Sequence, residues 1–500
     1  MSELSWERID NLIKVHRIAE WDTFWTYGIS GSHHQTDSVQ VRYLESYLRT
    51  LGARTLIVES HYIDRHYMDE FATYYARKRI APPNHCRRLH AFSTELDDAG
   101  FEHRLRTAAT GATALESVQK ELNDGYLGFI VVRPVANVPI GRTVLRPLQD
   151  ESARHFPTGV VHIVHLAGLR LSVHGLAFQQ QDRAVAACAS TAVWSALQSV
   201  ARRDGGHAPT TSAITEAAVR HLLPAGRPYP SDGLTREQIS ESLRAFRFPP
   251  VLFQFADSPG KFKLLLNIYL RSRIPVIIAL CQDDEDNRGH AVTVAGYEEQ
   301  ESVQGVHEVD ATFAGITSAN LAFDKIYIHD DRLGPYARAK LEMVANRLAV
   351  TLELPGNRKE TWRIGTAIVP VYEKLRATAE ELFENGASFL LPMVNWAAMR
   401  KKADIDVTLF FTRSGEYQQS LFDRGIEPER LIRFQKKAVL SRYVGIVRWK
   451  LDGQIFLDTI WDTTDRIQAT KESFIGLVCY FDDHHNWADA LAKYLNGIAG

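Results

Sequence analysis

Residues 179–197 read QQQDRAVAACASTAVWSAL. Small residues surround Cys188, and a helical pattern begins there, with Trp194, Leu197 and Val200 on one face. A thiol at a helix N-terminus lies near the positive end of the macrodipole, which stabilises thiolate. Ala187, Ala189 and Ser190 are small enough to let a substrate backbone approach the sulfur. A cysteine taken alone in such a helix is more often a buried structural residue. Its meaning therefore depends on residues further along the chain.

A strand pattern, IPVIIAL at 274–280, leads into a polar stretch, QDDEDNRG at 282–289, and then into HAVTVAGY at 290–297. His290 opens the second strand straight after Gly289, where an imidazole can reach from a sheet edge into a cleft. Its ordinary pKa lies near neutrality, which suits a proton acceptor for a thiol. The next piece is DKIYIHDDRLGPYARAK at 324–340, in which a strand ends at Asp330-Asp331. A carboxylate there can hold an imidazole in one tautomer and stabilise its cation. An exposed histidine at a strand start and a pair of turn aspartates are the commoner readings of each piece alone. The order changes the weighing. A cysteine opens a helix, a histidine opens a strand about 100 residues later, and an aspartate closes a strand about 40 residues beyond that.

On these pieces, together with GLTREQISESLRAF at 233–246, residues from about 165 to 345 resemble the papain-like superfamily of cysteine peptidases. Within it they are similar to the bacteriocin-processing, double-glycine type. The resemblance implies a triad of Cys188, His290 and Asp330. It also implies an oxyanion role for a glutamine just before the cysteine. The family glutamine usually stands six positions ahead, where this chain has Asp182, so the role passes to Gln181. Ala189 stands where glycine is frequent, and Asp331 where proline is usual. The implied chemistry is acyl transfer to the thiol from a protein or peptide amide. Hydrolysis of the thioester makes a peptidase. Capture by an amine makes a transamidase or acyltransferase, and loss of chemistry leaves a papain-like binding or scaffold protein.

The flanking sequence sets the organisation. Five hundred residues exceed what one core usually serves, so several α+β units are expected. Residues 1–155 mix helical spacing (38–51) with short strand runs (55–58 and 128–133) and read as an N-terminal α/β or α+β domain. The stretch at 125–145, GYLGFIVVRPVANVPIGRTVL, is distinctive in composition and suggests no chemistry. Residues 156–350 open with two strands (160–166 and 169–178), then helices at 188–201, 212–223, 235–246 and 262–271, then strands at 274–280, 291–297 and 325–329. Thr235 and Gln238 form a capping-box pattern. Helices followed by an antiparallel sheet is the order of a papain-like α+β domain. Residues 351–500 read as a further α+β domain, with a helix at 377–383, strands at 407–411, 443–449, 454–460 and 474–481, and a hairpin turn at Asp452-Gly453.

Composition narrows the class. Charged residues are 24% of the chain and the net charge is −2, so no global basic excess points to nucleic acid or an anionic surface. The first residues lack a secretory pattern, and no run of about 18 apolar residues suggests a membrane span. The four cysteines, at 86, 188, 281 and 479, form no CxxC pair, which fits a reducing cytoplasm better than a disulfide framework. No cofactor or metal is expected, and oligomeric state is not legible. His85, Cys86 and His90, the run Asp482-Asp483-His484-His485, and His33-His34 lack a second ligand cluster and read as solvated loops. The glycines of 28–32 lack the Lys-Ser/Thr of a phosphate loop.

Overall fold

The computed structural model describes residues 12–18, 38–135, 137–148, 153–182, 188–221, 233–254, 258–282, 289–300, 304–354, 358–468 and 472–480. Helices and strands mix throughout in an α+β arrangement built on three larger sheets and one separate hairpin.

The first sheet is antiparallel, with strands Ile13–Arg17, Thr55–Tyr62, Cys86–Phe92, Tyr126–Val132 and Ile140–Leu145 in chain order. Helix Val39–Thr50 precedes the second strand, and Ser38 caps it by accepting from Val41 N–H. The apolar spacing at 38–51 becomes a buried stripe of Val41, Leu44, Tyr47 and Leu48. Strand Tyr126–Val132 is buried along its whole length, which is why it reads as a continuous apolar run. Strands Val160–Leu166 and Leu169–Gly175 form the separate hairpin.

The second sheet carries the residues of interest. Its strands Val276–Cys281, Gly289–Glu299, Phe323–Asp330, Gly334–Val344, Arg347–Leu354 and Arg358–Pro370 pair antiparallel in succession. Arg358–Pro370 then pairs back to Val276–Cys281 through Ile277↔Ile368 and Leu280↔Ile364. Six strands thus close into a barrel, and Pro250–Phe253 adds to the outside of the last one. Residue 350 lies within this barrel, in strand Arg347–Leu354.

Helix Cys188–Arg203 packs on the barrel and is buried from Ala189 to Ala201. Thr293 Oγ1 donates to the Ala192 carbonyl at 2.8 Å, and Ser199 Oγ to the Thr158 carbonyl at 2.6 Å. Trp194 reaches the other way and donates its indole N–H to His66 Nδ1 at 3.1 Å. Helices Thr211–Val219, Arg236–Ala245 and Pro259–Arg271 pack around it, and Thr235 with Gln238 completes a capping box. Glu70 joins the first sheet's helix Arg65–Thr73 to this layer. It pairs with Arg133 at 3.1 Å and accepts from Thr211 Oγ1 at 2.6 Å. One continuous apolar cluster runs from Val15 through Trp194 and Ile368 to Trp461.

The third sheet holds Ile405–Arg413, Tyr443–Leu451, Gln454–Asp462 and Phe474–Cys479, with Ile316–Ser318 added in parallel to the first of these. Asp452 and Gly453 both have positive φ, 48° and 78°, as a two-residue primed turn requires. Among the described residues no helix is long and apolar enough to cross a membrane.

Candidate active site

Cys188 is the first residue of the buried helix Cys188–Arg203 and is itself half-buried. The segment before it, 183–187, and the polar stretch 283–288 lie outside the described residues. His290 is the second residue of strand Gly289–Glu299 and faces Leu280 across the ladder. Asp330 ends strand Phe323–Asp330, and its own turn fixes the carboxylate: Arg332 N–H donates to Oδ1 at 2.9 Å, and Leu333 N–H donates to the Asp330 carbonyl. Helix, strand start and strand end therefore converge because the helix packs across the barrel where neighbouring strands Gly289–Glu299 and Phe323–Asp330 present these positions.

The three side chains meet. His290 Nε2 lies 3.0 Å from Asp330 Oδ1, and Cys188 lies close enough to the same ring to help raise its pKa. With Nε2 turned to the carboxylate, Nδ1 is the nitrogen left for the sulfur. His290 is 5% exposed and Asp330 1%, so their pairing is shielded from water. Burial opposes the His290 cation, but the Asp330 charge and hydrogen bond, Cys188 and Asp331 outweigh it and raise the pKa. Burial pushes Asp330 the other way from its partners, and His290 with Arg332 wins, holding the carboxyl well below its usual range.

Two neighbours were not legible as site residues. Arg332 donates from Nη2 to Asp330 Oδ2 at 3.1 Å, and its Nε lies 3.3 Å from Oδ1 and 3.2 Å from His290 Nε2. An arginine cannot accept a hydrogen bond, so Arg332 and His290 both donate to Asp330. Its remaining nitrogen reaches Glu360 at 3.1 Å, and the guanidinium lies 4.9 Å from the Trp362 ring centre. Trp362 in turn sits 5.7 Å from the His290 ring. Strand Arg358–Pro370 supplies both Glu360 and Trp362, and a sequence pattern gives no warning that it closes the barrel beside His290.

Asp331 is the second neighbour. It lies 3.8 Å from His290 Nε2, is 4% exposed, and neither carboxylate oxygen has a hydrogen-bond partner from another residue among those described. Burial raises its pKa, with Asp330 adding to that and His290 opposing it. Gln181 is half-buried in the wall of a cavity of about 400 Å³ that Asp331 and Arg332 also line. The N-terminal helix braces this turn from behind. Tyr43 donates its hydroxyl to the Pro335 carbonyl at 2.9 Å, and Gln40 reaches the Asp331 carbonyl at 3.3 Å. Gly334 is glycine because a Cβ there would strike the Tyr43 ring.

His290, Asp330 and Asp331 are also the one group of potential metal ligands close enough together among the described residues. The Arg332 guanidinium stands inside that cluster and opposes a cation there. Of the other candidates, His90 is tied to Tyr126 and Glu59, Cys86 is buried, and His85 stacks on His61. The residues at 28–34 and 482–485 lie outside the described residues. No known protein family matches this chain, and no curated protein is significantly similar to it.

Proposed function

We propose that this chain is a papain-like cysteine peptidase acting on an amide of a protein or peptide substrate. The observation that carries the reading is the convergence of Cys188, His290 and Asp330, with His290 Nε2 3.0 Å from Asp330 Oδ1 and Cys188 near enough to the ring to help raise its pKa. A helix-start cysteine, a strand-start histidine and a strand-end aspartate on a closed antiparallel barrel also fit the papain-like plan.

His290 holds the proton of the thiol on Nδ1 as an imidazolium that Asp330 stabilises, leaving Cys188 as the attacking thiolate. The sulfur attacks the substrate carbonyl, and the Cys188 backbone N–H and the Gln181 side chain serve the oxyanion. The C–N bond breaks as His290 returns the proton to the leaving amine. Water, deprotonated by His290, then releases the acid and restores the thiol. All four cysteines are free thiols, which suits a reducing cytoplasm.

Alkylation with iodoacetamide followed by peptide mass mapping tests this. Cys188 should be labelled fastest, and His290→Ala should slow that labelling. Incubation with a mixed peptide library should give cleavage products that Cys188→Ala does not. Equal labelling of Cys188, Cys281 and Cys479 with no cleavage would overturn the reading. Products that gain an added amine instead of water would make it a transamidase.

A further inference from the structure

The catalytic-type helix has a second end. Arg203, its last residue, lines a cavity of about 540 Å³ bordered by the barrel and the third sheet. Fifteen helical steps separate Arg203 from Cys188, which is roughly 22 Å at 1.5 Å per residue, so this cavity is remote from the thiol.

Seven arginines line it against a single carboxylate, Glu416. Carboxylates around the cavity answer four of them. Arg271 pairs with Glu299 at 2.7 Å, Arg273 with Glu416 at 3.1 Å, Arg413 with Asp204 at 3.5 Å, and Arg448 with Asp458 at 2.8 Å. Asp204 is shared with Arg442 at 2.6 Å. Arg154 lies over the Tyr327 ring, 5.7 Å from its centre, while Arg203 and Arg424 have no carboxylate within ion-pair distance among the described residues. Arg203 spends its Nη2 on the Gly159 and Pro157 carbonyls, and the Nε of both Arg203 and Arg424 is buried without a hydrogen-bond partner.

The backbone sets the position of one of these arginines. Helix Pro259–Arg271 ends through Arg273, whose φ is 63° and whose N–H bonds the Leu270 carbonyl. Glycine is the usual residue at such a left-handed position, and a longer side chain there is retained at a cost of about 1 kcal/mol. Arg273 stands in the cavity wall, paired with Glu416. Arg413 donates to the Arg203 carbonyl at the negative end of helix Cys188–Arg203, which offsets part of the repulsion that end exerts on an anion. Burial and the nearby charges of Arg273 and Arg413 also lower the Arg203 pKa, a penalty that an anion would relieve.

We propose that this cavity binds a small phosphate-bearing molecule with two or more negative charges. Its volume suits a ligand of nucleotide size. Paired guanidinium forks match phosphate oxygens, and Phe156, Tyr297 and Phe410 provide apolar wall for an organic part.

Calorimetric titration of the full chain with inorganic triphosphate and with ATP tests the site, with single-stranded oligonucleotide as a third probe. Triphosphate should bind, and binding should weaken in 0.5 M salt. Tighter binding of ATP than of triphosphate would assign the organic part to the aromatic wall, and equal binding would assign the phosphate chain alone. Arg424→Gln and Arg273→Gly should each weaken triphosphate about tenfold. The second variant places glycine at a left-handed position, so its melting temperature should hold, which separates lost binding from lost folding. Failure of both phosphate probes to bind, equal binding by the variants, or oligonucleotide binding that triphosphate does not displace would overturn the proposal.

Discussion

Asp330 is shared between His290 and Arg332: Oδ1 faces His290 Nε2 at 3.0 Å while Oδ2 accepts from Arg332 Nη2 at 3.1 Å. The arginine fixes the carboxylate plane and takes the oxygen that the histidine does not need. A neutral amide at this position could not stabilise the imidazolium and would present one donor and one acceptor to two donors. Asp330→Asn should therefore slow peptide cleavage by about 10²–10⁴-fold with Cys188 still present. Steady-state cleavage rates check this.

Asp331 raises the His290 pKa from 3.8 Å away without bonding to it. Removing that negative charge disfavours the cation, so the His290 pKa should fall in Asp331→Asn. The alkaline limb of the Cys188 alkylation profile should move to lower pH. A profile measured from pH 5 to 10 shows the displacement or refutes it.

The same substitution has a stability consequence of opposite feel. Burial raises the folded-state pKa of Asp331 above its ordinary value of 3.8. The folded protein then holds this proton more tightly than the unfolded chain, so the residue destabilises increasingly as pH rises from near 4 through the raised value. Asp331→Asn should raise the melting temperature at pH 8 by about 1–3 °C and change it little at pH 4. Calorimetric scans at the two pH values check the sign.

Acid should unfold the protein through buried histidines. Burial lowers the pKa of His66 to about 4 and those of His162 and His329 to about 3. The unfolded chain takes up these protons first, so the stability they give is full above pH 6.5 and is lost as pH falls toward 4 and below. Denaturant midpoints at pH 7, 6, 5 and 4 should fall progressively. His66→Gln should flatten that fall.

Glu70 and Arg133 are both 2% exposed and join helix Arg65–Thr73 to the end of the first sheet, with Thr211 completing the contact. Glu70→Ala strands a buried guanidinium. It should cost about 3–5 kcal/mol of stability, measured by denaturant unfolding.

The parts of the fold legible in sequence are those whose local chemistry agrees with their tertiary role. Ser38 and Thr235 cap the helices they precede, and Asp452-Gly453 turns the hairpin it interrupts. The strands Gly334–Val344, Arg347–Leu354 and Arg358–Pro370 carry a weak sequence signal because exposed positions such as Lys340, Arg358 and Lys359 dilute the apolar alternation. Cys188, His290 and Asp330 were legible through chain order. Arg332, Glu360 and Trp362 were not, since what brings them to His290 is barrel closure. The arginine cavity was invisible for the same reason: Arg203, Arg273 and Arg424 come from three distant segments.

Closure of the barrel by Arg358–Pro370 also sets a timetable for synthesis. A ribosome delivers the thiol, the imidazole and the carboxylate well before it delivers Ile364 and Ile368, which seat against Val276–Cys281. The nascent chain thus exists for a time with Cys188, His290 and Asp330 made and the closing strand missing, and the barrel can close only once residue 370 has left the exit tunnel.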